Sequence, residues 1–298
     1  MRTTQPPFVA CSPISRISNL TLKRFATAYD FVIAAEEYLD LHSAELRIHY
    51  RVAAANAVRE QQPEDQFYAA NIEDGQVCGI AVCTTPWKGL LGGIWGAHLG
   101  ALVDAMFEFY REMPGIMGPP AEAIAFANLW CDRSGRHPAE GISEVWYAMD
   151  SLTMPERADG HMVMATEEHA ALVARWLEAF WHEAGLFDAV DAAVHAQRAI
   201  DRGLFHLWWV DHEPVAMIGH SGPIGKLVSV GPVYTEPKHR RKGYGSNLVA
   251  HLSRRFLERG NLRCGLGADR DNPHSQKIYQ RMGYELVAEM EEIRFIGP

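Results

Sequence analysis

Apolar residues along the chain recur with two different periods, and the changes of period divide it into alternating elements. Phe25, Tyr29, Val32, Ile33 and Leu39 fall near a 3.6-residue repeat, which predicts a helix after residue 20. A second helix is expected over 43–59, with Ser43 as its N-cap. The period then drops to two. Residues 66–72 and 77–84 read as strands around the turn Glu73-Asp74-Gly75-Gln76. Residues 87–96 are Gly-rich and read as a loop with a short strand, not as a phosphate-binding loop. Helices over 98–112 and 120–132 and a strand over 142–150 complete the first half.

The polar segment Pro155-Glu156-Arg157-Ala158-Asp159-Gly160 holds both Pro and Gly and marks a domain boundary. After it a strand near Met162, helices over 167–183 and 188–201, and a hairpin of 204–210 with 214–220 are expected. There follow a strand ending near Thr235, a helix over 243–259, a strand over 263–268, a helix over 273–281 and a last strand over 284–295. In each half a hairpin follows two helices, one beginning at Phe67 and the other at Phe205. This reads as a duplicated α/β unit; two unrelated hairpins would give the same pattern. Residues 1–19, rich in Ser, Thr and Pro, are expected to be loosely ordered.

Composition narrows the partners. A length of 298 residues favours two domains, and 48% hydrophobic with 22% charged residues is ordinary for a globular chain. Mean hydropathy is -0.16. No apolar run is long enough to cross a bilayer, and the N-terminus lacks a signal pattern, so a cytoplasmic protein without a membrane partner is expected. The net charge of -9 argues against a nucleic-acid partner. Five Cys without a CxxC argue against a disulfide framework or a thiolate zinc site. His182-Glu183 lacks the second His of an HExxH motif, so no metal is expected. Trp176, Trp181, Trp208 and Trp209 read as core or pocket wall.

The most informative stretch is Gly231-Pro232-Val233-Tyr234-Thr235-Glu236-Pro237-Lys238-His239-Arg240-Arg241-Lys242-Gly243-Tyr244-Gly245-Ser246. A strand ends, a basic loop follows, and a Gly-containing turn opens a helix with Leu248, Leu252 and Phe256 on one face. A helix N-terminus carries unpaired N–H groups and positive potential. Gly243 and Gly245 let a ligand approach the backbone, and Arg240, Arg241 and Lys242 add charge, which suits a pyrophosphate. Alone, such a run fits a solvated face equally well. A second stretch, Asn272 to Tyr284, begins with an N-cap Asn272 and Pro273 at N1 and ends at Gly283, bounding a short helix that carries Ser275 and Tyr279.

Together these stretches resemble the GNAT superfamily of acyl-CoA-dependent N-acyltransferases. Arg240-x-x-Gly243-x-Gly245 is similar to its pyrophosphate loop, and Asn272-x-x-Ser275-x-x-x-Tyr279-x-x-x-Gly283-Tyr284 to its second signature. The match covers 229–295 directly and extends to a domain over 160–298; the first half, 20–155, resembles the same fold weakly. The implied architecture is α/β (α+β): two GNAT-like domains in tandem, each a mixed, mostly antiparallel central sheet flanked by helices, the first a degenerate copy. Its segment Pro114 to Pro120 has no Arg-x-x-Gly-x-Gly, and Pro119 and Pro120 would remove N–H donors if they stood at the cradle.

The resemblance implies acetyl-CoA as co-substrate, bound by Val233, Tyr234, Thr235, Arg240, Arg241, Lys242, Gly243, Tyr244, Gly245, Ser246, Asn272 and Ser275. It implies direct attack by a primary amine of a small molecule in a ternary complex. Protein or peptide N-acetylation and a non-catalytic CoA-binding module are the alternatives. Tyr279 matches the family's usual proton donor to the leaving sulfur; Glu236, just after the strand, is the candidate base, with His220 and Asp269 weaker candidates. Deprotonating a lysine-like amine at neutral pH costs about 4.6 kcal/mol, and an α-amine about 1.4 kcal/mol. A homodimer is compatible with all of this.

Overall fold

The computed structural model describes residues 20–59, 65–110, 112–186, 191–260 and 263–297. The loosely ordered segment expected over 1–19 lies outside these residues, as does the start of the helix expected from 188. The chain forms two units, Met1–Val145 with Val287–Pro298, and Trp146–Leu286. The sequence places the division at 155–160; the units instead divide within a strand and count the last strand with the first unit.

The first series of elements is β1 (Leu20–Phe25), α1 (Ala28–Leu41), α2 (Arg47–Ala57), β2 (Gln66–Glu73), β3 (Gln76–Thr84), β4 (Gly89–Gly93), α3 (Leu99–Phe109), β5 (Gly115–Gly118), α4 (Pro120–Ser134) and β6 (His137–Met149). The second is β7 (His161–Met164), α5 (Ala170–Glu183), α6 (Ala192–Asp201), β8 (Phe205–Val210), β9 (Glu213–His220), β10 (Leu227–Thr235), α7 (Tyr244–Leu257), β11 (Arg263–Asp269), α8 (Pro273–Arg281) and β12 (Glu285–Ile296). The two series repeat element for element, so the duplication extends well beyond the hairpins.

In the first unit β1 to β4 pair antiparallel in chain order and β4 pairs parallel with β5. β5 takes β12 as its antiparallel neighbour, with Gly118 opposite Glu291. In the second unit the order is β6-β11-β10-β9-β8-β7; β7 to β10 pair antiparallel in turn, and β10 pairs parallel with β11. Strand alternation gives the strands of each unit two apolar faces. In the second unit Phe205, Leu207, Met217 and Tyr234 pack with Val173 and Leu177 of α5 and Ala196 and Ile200 of α6. Trp208 and His220 turn the other way, towards His251 and Phe256 of α7. Leu248 and Leu252 of α7 are fully buried, which stabilises its placement by about 1.5–3 kcal/mol each.

Some elements differ from the sequence expectation. Phe25 belongs to β1, an edge strand held by pairing with β2, and the helix begins only at Ala28, after Thr27 accepts a bond from the Asp30 N–H at 3.0 Å. α2 starts at Arg47 with no side-chain cap, so Ser43 is not its N-cap. The sequence shows no sign of β5, Gly-Ile-Met-Gly: a Cβ at Gly115 would stand 2.5 Å from the Ile293 carbonyl oxygen, and one at Gly118 would stand 2.8 Å from Leu91 Cβ. Glycine disfavours a strand intrinsically but permits this close approach of neighbouring chains.

Candidate active site

The second unit opens at one place in its sheet. β10 and β11 keep register from Leu227↔Arg263 to Ser229↔Gly265, and there the pairing stops, although both strands continue. The next residues explain why. The pairing of β10 with β9 shifts between Val230 and Val233, a bulge that includes Gly231 at φ 132° and Pro232. A bulge bends its strand, and Pro has no N–H to give a neighbour. Val233, Tyr234 and Thr235 therefore continue past the point where β10 leaves β11, still paired to β9.

Beyond β10 a 3-10 turn, Pro237–His239, leads into the basic loop. Arg241 at φ 64° and Gly243 at φ 79° are both left-handed, and Gly243 is the N-cap of α7. Asn247 is the first residue of α7 whose N–H bonds within this turn, to the Gly243 carbonyl at 3.0 Å. The N–H groups of Tyr244, Gly245 and Ser246 precede it in the first turn, where a helix has no partners to offer. Asn247, absent from the sequence-derived site, is buried and braces the turn: its amide donates to the carbonyls of Glu156 at 2.9 Å and Gly243 at 3.0 Å. Gly245 lies against Val233 and Thr235 of β10. Positive φ is thus needed at Gly243, while Gly245 supplies close packing.

The charged residues divide into two groups. Arg241 and Lys242 are exposed. Arg240 is engaged: Nη2 donates to both Glu183 carboxylate oxygens, at 2.7 and 2.9 Å, and Nε donates to the Thr235 carbonyl at 2.8 Å. Glu236 ion-pairs with Lys238 at 3.4 Å and lies 3.7 Å from His239 Nε2, which also lies 3.3 Å from Glu213.

At α8 the Asn272 side chain accepts from the Ser275 N–H at 3.2 Å, and the Ser275 hydroxyl donates to the Asn272 carbonyl at 3.0 Å. Both residues are committed to capping. Tyr279 packs edge-on against Tyr284, ring centroids 5.9 Å apart, and burial pushes its phenol up to about 12. Tyr284 is buried and bonds Ser253 at 2.9 Å. Of the weaker base candidates, His220 has its ring 5.5 Å from His206 and 4.9 Å from Phe256, and the Asp269 carboxylate accepts from the Asp271 N–H at 2.8 Å.

In the first unit the element repeat relocates the degenerate cradle. Pro119 and Pro120 open α4, the counterpart of α8, so they do not stand at the cradle position. That position is 94–98, between β4 and α3, overlapping the end of the segment 87–96 read as a loop and strand. No Arg-x-x-Gly-x-Gly occurs there either. Buried Asn71 donates to the Ile94 carbonyl at 2.9 Å and lies 2.7 Å from His98 Nδ1, and the Trp95 N–H donates to Glu122 at 3.2 Å. The Trp95 N–H, a donor of the kind a phosphate would need, is thus taken by a side chain of the unit itself.

Among the described residues no group of three or more His, Cys, Asp or Glu side chains is placed to hold a metal ion, and no helix is long and apolar enough to cross a membrane. A parallel strand pair that separates beside a glycine-capped helix N-terminus, in a mixed sheet of this order, makes an α/β fold with an opening suited to an anion. Residues 170–284 match the acetyltransferase (GNAT) family, and the second unit is a GNAT-family domain. Solved structures share the fold over nearly the whole chain. A GNAT-family acetyltransferase from Colwellia psychrerythraea is 10% identical at TM-score 0.57, covering 92% of this chain and 99% of its own. A GCN5-related N-acetyltransferase from Sphaerobacter thermophilus is 16% identical at TM-score 0.60, covering 94% and 96%. A tandem GNAT protein from the clavulanic acid biosynthesis pathway is 12% identical at TM-score 0.52, covering 94% and 99%. No curated protein matches the chain by sequence.

Proposed function

We propose that the protein is an acetyl-CoA-dependent N-acetyltransferase acting in the cytoplasm on a primary amine of a small molecule, with one working site per chain in the second unit. The observation that carries this reading is the N-terminus of α7, capped by left-handed Gly243, beside the stretch of β10 that has left β11. The residues suit the co-substrate. The N–H groups of Tyr244, Gly245 and Ser246 would receive the pyrophosphate, with Arg241 and Lys242 supplying charge. Backbone groups of Val233 to Thr235 would hold the pantetheine arm. Acetyl-CoA would supply an activated acyl carbon and a thiolate leaving group.

The chain's own residues then have three tasks. Donors fixed along β10 are suited to charge developing on an acyl oxygen, commonly a large contribution to rate. Tyr279 remains protonated at neutral pH and can donate a hydrogen bond. With its phenol pushed up to about 12, complete proton transfer to a Cys-like thiolate would cost about 5 kcal/mol. Its role is therefore hydrogen-bond stabilisation of the sulfur more than full protonation. Glu236 is the carboxylate offered to the amine proton, in competition with its ion pair to Lys238. Asn272 and Ser275 contribute by fixing the start of α8.

Incubation with acetyl-CoA and a panel of small amines tests the reading, with thiol release and product mass as readouts. Thiol release dependent on a small amine supports it. Acetylation confined to peptides, or CoA binding without amine-dependent release, would replace it.

A further inference from the structure

Glu183 is the last residue of α5, where helix carbonyls already concentrate negative potential and an acid is disfavoured. Its carboxylate meets Arg240, whose Nη2 donates to both oxygens, at 2.7 and 2.9 Å. Arg240 is held on two further sides: Nε donates to the Thr235 carbonyl at 2.8 Å, and the guanidinium carbon lies 5.4 Å from the Tyr234 ring centroid. Thr235 ends β10, and Arg240 directly precedes left-handed Arg241. The guanidinium thus closes the loop from 235 to 240 upon itself and ties it to α5.

We infer that Glu183 is a positioning residue for the cofactor cradle: it holds the Arg240 fork so that the basic loop is ordered before the co-substrate arrives. This rests on the reading that the cradle takes CoA. An exposed ion pair alone contributes little, but a guanidinium fixed by a carboxylate, a carbonyl and a ring gains geometric specificity. Preorganisation lowers the cost of ordering on binding, so Glu183 acts on CoA affinity and much less on the chemical step.

Calorimetric CoA affinity, KM for acetyl-CoA, kcat and thermal midpoint of the full chain test this in Glu183→Ala, Glu183→Gln, Arg240→Ala and the double variant Glu183→Ala/Arg240→Ala. Glu183→Ala is expected to weaken CoA binding about tenfold, to raise KM far more than it lowers kcat, and to be partly rescued by Glu183→Gln, which keeps an acceptor oxygen. The double variant should bind no more weakly than Arg240→Ala, because the two residues act as one unit. Wild-type affinity in Glu183→Ala, with or without a lowered midpoint, overturns the inference, as do losses that add in the double variant. A wild-type chain that does not bind CoA removes the proposed function and this inference together; wild-type binding that Glu183→Ala leaves intact removes this inference alone.

Discussion

A Cβ added to Gly245 would stand 3.0 Å from the Thr235 hydroxyl oxygen. The first turn of α7 and the end of β10 are therefore packed so closely that any side chain at 245 requires Thr235 to give way. Gly245→Val should push them apart and lower CoA affinity at least about tenfold, with the circular dichroism spectrum retained. Gly245→Ala should fall between, and adding Thr235→Ala to it should recover part of the loss by removing the opposing oxygen. Affinity equal to wild type in Gly245→Val would place the cradle elsewhere.

Tyr279→Phe keeps the ring against Tyr284 and removes only the oxygen. General acid help spans about 10²–10⁴-fold, but a phenol pushed up to about 12 is a poor acid and a thiolate is a good leaving group. The expected loss is about tenfold in kcat with CoA affinity nearly unchanged. Wild-type kcat on the true amine would make Tyr279 a packing residue.

One CoA per chain is expected. The cradle position of the first unit has no Arg-x-x-Gly-x-Gly, and its Trp95 N–H is taken by Glu122. Calorimetry should give a stoichiometry near one; two equivalent sites would show that the first unit's loop opens to accept a phosphate.

Acid should destabilise both units. Burial lowers His49 and His206 to about 4, and His206 also faces His220 and the Arg255 guanidinium. Both rings are neutral when folded, while the unfolded chain binds protons below roughly 6.5. Between about pH 6.5 and 4 the unfolded state thus holds more protons, and stability falls as pH is lowered, by up to about 3 kcal/mol for each ring. Denaturant titrations at pH 7.5 and 5 should differ accordingly. His206→Phe should flatten part of that dependence; an unchanged pH profile in that variant would mean its ring is reached by solvent or protons in the fold.

The first-half cradle shows how local reading misplaces a feature. Pro119 and Pro120 sit before a helix, as a cradle does, and so attract the comparison. Only the pairing of β4 with β5 shows that α3, not α4, follows the strand that corresponds to β10. Arg240 shows a similar limit. The motif marks it as a charge at the cradle, but its partner Glu183 lies 57 residues earlier in the chain, and no local pattern links them.

The sequence by itself determined the hairpins, the amphipathic face of α7, the caps of α8 and the glycines of the basic loop. Those features depend on period, capping chemistry and backbone freedom, which act over a few residues. Tertiary structure alone decided that Gly-Ile-Met-Gly is a strand, that β12 completes the first unit, where β10 parts from β11, and that Arg240 turns to Glu183. Each of these depends on contacts between segments distant in the chain, whose close approach is set by packing and hydrogen-bond satisfaction in the folded unit and leaves no periodic trace along it.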